Sequence, residues 1–260
     1  MAELLRYEHV DISYSGVRVV KDVSFTVDEG EILGIVGESG SGKSTLVRAA
    51  MGLLGKSGLV TRGDIWYEGK DLPDLSENEM RSLCGPELSM IFQDAGSSFC
   101  PVRTVGAQLL ESMRAHGRVS KTEFERQALE IFEKLGFKDG ERILRSYPFE
   151  LSGGMAQRVG IAAAMLLSPR ILFADEPTSA LDATVQRQAA EEMQLVRETF
   201  GTAVVLISHN IGVVGALADR VLVMKDGEAV ECGETRQVLE HPREAYTRKL
   251  MAAVPHLRRA

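Results

Sequence analysis

Glu31-Ile32-Leu33-Gly34-Ile35-Val36 runs straight into Gly37-Glu38-Ser39-Gly40-Ser41-Gly42-Lys43-Ser44, and this stretch decides the fold. Its first half is a compact apolar run of the kind buried on both faces of a sheet. Its second half completes the GxxxxGK[ST] spacing, and residues 45–54 beyond it read as a helix with few breakers. Strand, glycine-rich loop and helix in that order give each residue type a task. The glycines let backbone N–H groups turn inward around phosphate oxygens, and the start of the helix adds its positive dipole end. Lys43 reaches the terminal phosphates, and the Ser44 hydroxyl joins a magnesium shell. The stretch predicts nucleotide binding within an α/β core.

Working outward, residues 4–14, 17–27 and 31–36 are short apolar runs separated by Ser15-Gly16 and Glu29-Gly30, and they read as strands. Residues 63–72 read as a strand pair turning at Glu68-Gly69. From 105 to about 136 the pattern turns helical. Leu109, Leu110 and Met113 share one stripe there, and Phe124, Ala128, Ile131 and Leu135 share another. Ser120-Lys121-Thr122-Glu123 predicts a capping box at the start of the second helix. Two more strands are predicted at 170–174, after Ser168-Pro169, and at 203–207, after Gly201. The order is a β-rich start, an α/β core, a helical insertion and a return to the core.

Composition narrows the partners. With 260 residues, 44% of them hydrophobic, the chain has ample core for one compact unit with a sizeable insertion. A net charge of −7, with no basic block beyond Arg258-Arg259, argues against a nucleic-acid partner, which needs a clustered positive surface. The longest apolar stretch, 159–167, contains a glycine and falls well short of the roughly 20 residues that span a bilayer. Cys84, Cys100 and Cys232 lie far apart, without the close pairs of a structural zinc site or an iron–sulfur cluster, and fit a reduced, cytoplasmic setting. Met1-Ala2-Glu3-Leu4-Leu5-Arg6 lacks a secretory n-region and h-region, so secretion is not predicted.

Two further motifs carry chemistry. Ile171-Leu172-Phe173-Ala174-Asp175-Glu176 is an apolar strand ending in two adjacent acids. Asp175 suits magnesium, directly or through water, and Glu176, pointing the other way, suits polarisation of a water attacking the γ-phosphate. Leu151-Ser152-Gly153-Gly154-Met155 is a small-residue turn opening a helix, a second helix N-terminus fit for anion oxygens, with Ser152 supplying a hydroxyl.

The Leu-Ser-Gly-Gly motif, the phosphate loop before it and Asp-Glu-Pro-Thr-Ser-Ala-Leu-Asp at 175–182 after it resemble the ATP-binding subunits of ABC transporters over essentially the whole chain. The resemblance implies a P-loop NTPase core with an N-terminal antiparallel β subdomain and an inserted α-helical subdomain. The whole chain, 1–260, would be a single ATP-binding domain. Its core would be residues 1–93 and 151–240, its helical insertion about 94–150 and its tail 241–260.

The same resemblance assigns site residues. Tyr14 would stack on adenine; Gly37, Glu38, Ser39, Gly40, Ser41, Gly42, Lys43, Ser44 and Thr45 would hold the phosphates. Gln93 would contact magnesium and the water, beside the metal ligands Ser44 and Asp175. Glu176, His209, Gln93 and Lys43 would form the catalytic set, with His209 touching the γ-phosphate. Asp182 would communicate across a dimer. In the family two subunits face head to tail, so Ser152, Gly153 and Gly154 would complete the partner's ATP site.

The resemblance also implies Mg2+, two membrane permease subunits, a second ATP-binding subunit, identical or paralogous, and an indirect link to a substrate-binding protein. It implies a peripheral place on the cytoplasmic face of the membrane, and no nucleic acid. Tyr147-Pro148-Phe149-Glu150, Ser208-His209-Asn210 and His241-Pro242 through Tyr246-Thr247 to Pro255 resemble the di/oligopeptide and nickel importer subfamily. Ala156, Asn210, Ala95 and Cys100 depart from its usual Arg, Asp, Pro and Asn. Two alternatives stay open at this stage. One is a soluble ABC-type ATPase acting on nucleic acid or ribosomes, which the single cassette disfavours. The other is a non-hydrolysing regulatory cassette, which the presence of Glu176 and His209 disfavours.

Overall fold

The structure, a computed structural model, describes residues 2–92, 98–177 and 183–253. The chain divides into two units, Met1–Met80 with Ala203–Ala260, and Arg81–Thr202. In the first unit, strands β1 (Glu3–Tyr14) and β2 (Val17–Asp28) form the antiparallel hairpin expected from Ser15-Gly16. Strand β3 (Ile32–Gly37) is buried throughout, and helix α1 (Lys43–Ala50) follows the loop. Strands β4 (Gly58–Tyr67) and β5 (Lys70–Asp71) complete a sheet of order β2-β1-β4-β5. Tyr7 of β1 stacks on Phe25 of β2 at 4.3 Å, and its hydroxyl donates to the Leu46 carbonyl of α1 at 2.7 Å. That bond satisfies a fully buried phenol, whose pKa burial pushes far above its ordinary value. It also ties the antiparallel sheet to the helix of the phosphate loop.

Two boundaries differ from the expected ones. Helix α1 begins at Lys43 and stops at Ala50, because Gly52 takes φ 66° and the Leu53 N–H bonds back to Arg48. Strand β4 starts at Gly58 rather than Gly63, and its return strand has only two residues. Gly63 of β4 faces a bulge in β1, where His9 takes φ 52°: the Gly63 φ is 74°, and a Cβ there would lie 2.3 Å from the Glu8 and His9 carbonyl oxygens.

Helix α2 (Glu77–Leu83) precedes the strand β6 (Leu88–Ile91), which pairs in parallel with β7 (Ile171–Asp175) in the second unit. Between them lie α3 (Val105–His116), α4 (Lys121–Lys134), α5 (Gly140–Arg145) and α6 (Gly153–Met165); α7 (Ala183–Phe200) follows β7. The expected stripes are buried except Leu110, which is half-buried. Thr104, Ser120, Asp139 and Ser152 each cap a helix by accepting a backbone N–H. Only half of the box at Ser120 forms: the Ser120 hydroxyl accepts from the Glu123 N–H at 3.1 Å, while the Glu123 carboxylate turns to Arg126 and Gln127. A guanidinium three residues along the same face outcompetes a neutral backbone N–H for that charge.

The chain returns to the first unit with β8 (Ala203–Ile207), α8 (Ile211–Leu217), β9 (Arg220–Lys225), β10 (Glu228–Glu234), α9 (Thr235–Glu240) and α10 (Ala245–Ala252). Strands β8 and β9 flank β3 in parallel, and β10 pairs antiparallel with β9. Helix α8 packs directly over Gly34 of β3, where a Cβ would sit 2.3 Å from Val214 Cγ1 and 3.2 Å from Ala218 Cβ. Val214 is β-branched on a helix and has almost no rotamer to yield. Gly34→Ala is therefore expected to lower unfolding stability by about 1–3 kcal/mol, read as a lower urea midpoint. An unchanged midpoint would show that α8 moves away at no cost.

Candidate nucleotide site

The loop between β3 and α1 closes on its own lysine. Lys43 is 4% exposed, and its ammonium donates to the Gly37 carbonyl at 2.9 Å, the Glu38 carbonyl at 2.8 Å and the Ser41 hydroxyl at 3.4 Å. A buried cation is thus held by neutral dipoles inside the loop, a position that suits the oxygens of an incoming anion. Gly42, the residue before α1, has φ 98° and offers no side-chain cap, so the first-turn N–H groups of α1 have no side-chain acceptor at that residue. A Cβ on Gly42 would also lie 3.1 Å from Val20 Cγ2 and 3.2 Å from the Val19 carbonyl oxygen. On its outer side the loop meets α10, where the Glu38 N–H donates to the Tyr246 hydroxyl at 3.3 Å. Sequence pattern shows no sign of that contact, since the two residues are 208 positions apart.

His209 follows β8, the parallel neighbour of β3, and the Ser208 N–H donates to the Ile35 carbonyl at 3.3 Å. Parallel pairing therefore brings His209 and the phosphate loop to the carboxyl ends of adjacent strands, where open α/β sheets bind ligands. The Ser208 hydroxyl accepts from the Asn210 N–H at 3.0 Å, and the Asn210 side chain accepts from Gly212 and Val213. Asn210, one of the departures from the subfamily pattern, still caps α8. Tyr14 ends β1, half-buried, with its ring over Gly58; a Cβ at Gly58 would lie 2.7 Å from Tyr14 Cε1.

The second unit holds the remaining described candidates. Asp175 is the last residue of β7 and is 8% exposed. Glu176 takes φ 49°, a left-handed conformation that costs a non-glycine residue on the order of 1 kcal/mol and here turns the chain sharply off the strand. One residue on, the Pro177 carbonyl accepts a bond from the buried Gln157 amide of α6. At the head of the same helix, the Ser152 hydroxyl accepts from the Met155 N–H at 3.3 Å, which leaves its own proton to donate. Ser152 and Gly153 are exposed there, at a helix start with no other cap. Arg158 holds α6 in place: it pairs with Glu192 of α7 at 3.0 Å, covers the Phe137 ring at 4.5 Å and bonds the Leu135 carbonyl. Gln93 and Asp182 lie outside the described residues. Among those described, no cluster of three or more His, Cys, Asp or Glu is arranged to hold a metal ion.

Residues 20–179 match the protein-family model described as ABC transporter. The chain belongs to the ABC transporter family. It is 43% identical to the oligopeptide transport ATP-binding protein OppD of Bacillus subtilis (strain 168), over 99% of this chain and 73% of that protein. It is 40% identical to the metal-staphylopine import system ATP-binding protein CntD of Staphylococcus aureus (strain NCTC 8325 / PS 47), over 96% and 92% respectively. Among solved structures, a dimeric post-hydrolysis state of the ATP-binding cassette MJ0796 bound to ADP and Pi superposes with a TM-score of 0.75 at 28% identity. That match covers 90% of this chain and 99% of the cassette. The cbiO1 protein of Clostridium perfringens, at 24% identity and a TM-score of 0.80, shares the fold over 98% of this chain and 97% of its own. The α/β cassette with an N-terminal antiparallel sheet is the family's fold, as the motifs imply. As an ABC transporter cassette the chain binds ATP and is an ATPase.

Proposed function

We propose that this cassette energises the import of di- or oligopeptides, or of nickel or another metal complex, as a head-to-tail dimer bound to two membrane permease subunits. One observation carries the nucleotide half: the Lys43 ammonium, buried and ringed by loop carbonyls, is set where a triphosphate needs it. The transport half is supported by relatives at 40–44% identity named for oligopeptide transport, dipeptide transport, a probable peptide ABC transporter and metal-staphylopine import. The second ATP-binding subunit is identical or paralogous, and a substrate-binding protein acts through the permease.

In this reading the phosphate loop, 37–45, and Tyr14 hold ATP, and Ser152, Gly153 and Gly154 complete the partner's site. The Ser44 hydroxyl, the Asp175 carboxylate and the Gln93 amide oxygen are hard donors that suit Mg2+, which when bound supplies charge neutralisation at the phosphates. Glu176 orients the water and draws its proton as the water oxygen bonds to the γ-phosphorus. The bond from that phosphorus to the bridging oxygen breaks, giving ADP and phosphate. His209 donates to the γ-phosphate, and Asp182 passes the change across the dimer.

The helical insertion, about 94–150, meets the permease. Its support is an apolar surface in that stretch: Val102 is 78% exposed and Phe149 72%, the latter stacked with Tyr147 at 5.5 Å. The chain would sit peripherally on the cytoplasmic face of the membrane; no helix among the described residues is long and apolar enough to cross it. Uptake of labelled dipeptides, oligopeptides and nickel by cells lacking the chain tests the proposal. Loss of one of these uptakes, restored by the wild-type chain and not by Glu176→Gln, is the expected result. Unchanged uptake of all three, and of a chelated transition metal supplied alongside them, would overturn it.

A further inference from the structure

We propose that Tyr246, on the C-terminal helix α10, is a positioning residue for Lys43 and, through it, for the phosphates of the nucleotide; this rests on reading the loop as the ATP site. The two contacts that carry it sit on one peptide unit. The Gly37 carbonyl accepts from the Lys43 ammonium at 2.9 Å, and the Glu38 N–H, the other edge of the same planar group, donates to the Tyr246 hydroxyl at 3.3 Å. A peptide is rigid, with its C=O and N–H pointing in opposite directions, so fixing one edge fixes the other. With the Tyr246 oxygen in place the plate cannot turn about its long axis. Without it, that restraint on the peptide plane is lost and the Gly37 carbonyl holds the ammonium less firmly.

The phenol is itself held firmly. On β10, the Glu231 carboxylate accepts from the Arg243 and Glu244 N–H groups at 2.8 and 3.2 Å, fixing the residues that lead into α10. Thr247, next to the tyrosine, is wholly buried. Lys225, ending β9, places its ammonium 5.3 Å over the Tyr246 ring. The hydroxyl is thus fixed from two strands and its own helix, and all of these residues lie in the unit that carries the phosphate loop. Since Lys43 meets the phosphates both before and during transfer, weakening its placement removes uniform binding: affinity changes and the chemical step does not.

Tyr246→Phe tests this, because it keeps the ring, the helix and the Lys225 contact and removes one oxygen. In the full chain, the Kd for ATP and the KM of hydrolysis are expected to rise together by about three- to tenfold, the value of one hydrogen bond. The kcat stays within about twofold, the unfolding midpoint holds, and amide hydrogen exchange at Glu38 accelerates. Glu231→Ala, which touches no loop atom and loosens the start of α10, shifts Kd in the same direction. Unchanged Kd and unchanged Glu38 exchange in Tyr246→Phe would overturn the role. So would a lower midpoint with unaltered affinity, which would make the tyrosine only a brace. If the wild-type chain fails to bind ATP, the reading of the loop falls instead; if it binds and the variant matches it, only the role of Tyr246 falls.

Discussion

Glu176→Gln is expected to bind ATP as the wild type does and to hydrolyse it slower by a factor on the order of 10²–10⁴, the usual worth of a positioned general base. The substitution is nearly isosteric, so the sharp left-handed turn at Glu176 and the Gln157 bond to Pro177 are kept. Only the negative charge that draws the water proton is lost. Because the γ-phosphate then stays in place, the dimer should accumulate in its closed form, visible by size-exclusion chromatography as an ATP-dependent shift to twice the mass. Hydrolysis by the variant at the wild-type rate would remove Glu176 from the catalytic set.

The second large effect concerns which subunit serves which nucleotide. Lys43→Ala removes a buried ammonium that donates to the Gly37 and Glu38 carbonyls and the Ser41 hydroxyl, and should weaken ATP binding by about a hundredfold, as for loss of a charge-assisted contact. Gly154→Asp places a carboxylate in the first turn of α6, where it would repel phosphate oxygens, and should leave ATP binding intact while stopping turnover. At ATP concentrations near the wild-type Kd, each variant alone is expected to show little turnover. Mixed in equal amounts and exchanged, they should regain activity up to about a quarter of the wild type, since half the dimers are mixed and each of those has one intact site; coupling between the two sites would lower that figure. Full activity of either variant on its own would show that a single subunit suffices, and the shared-site arrangement would be wrong.

Most of the nucleotide-binding half was legible because its signals are local. The glycine spacing after an apolar run defines β3, the loop and α1, and parallel sheets need buried strands of just that kind. Asp226-Gly227, with both φ positive, marks the β9–β10 hairpin by turn chemistry that periodicity alone passes over. Strand β6 is four residues long and so gives too little pattern to detect. Gly63, which faces the bulge in β1, resembles a strand start because a glycine interrupts the alternation in either case. What no local pattern reveals is pairing across the chain. The order of β3 between β8 and β9, the Arg158 pairing with Glu192, and the approach of Tyr246 to Glu38 all depend on tertiary placement. The candidate site follows the same division: its residue types are in the sequence, whereas the enclosure of Lys43 by carbonyls is visible only once the loop is closed.

The bond from Gln157 to the Pro177 carbonyl reaches further than its own unit. One end lies four residues into α6, whose start would in the proposed dimer serve the neighbouring subunit's nucleotide, and the other lies one residue from Glu176, the acid proposed to serve its own. In the proposed head-to-tail dimer that link would join two active centres, and occupancy of one would be felt at the other. The two centres would then fire as a cooperative pair, and the rate would climb more steeply than in proportion to ATP concentration, as in any linked two-site system.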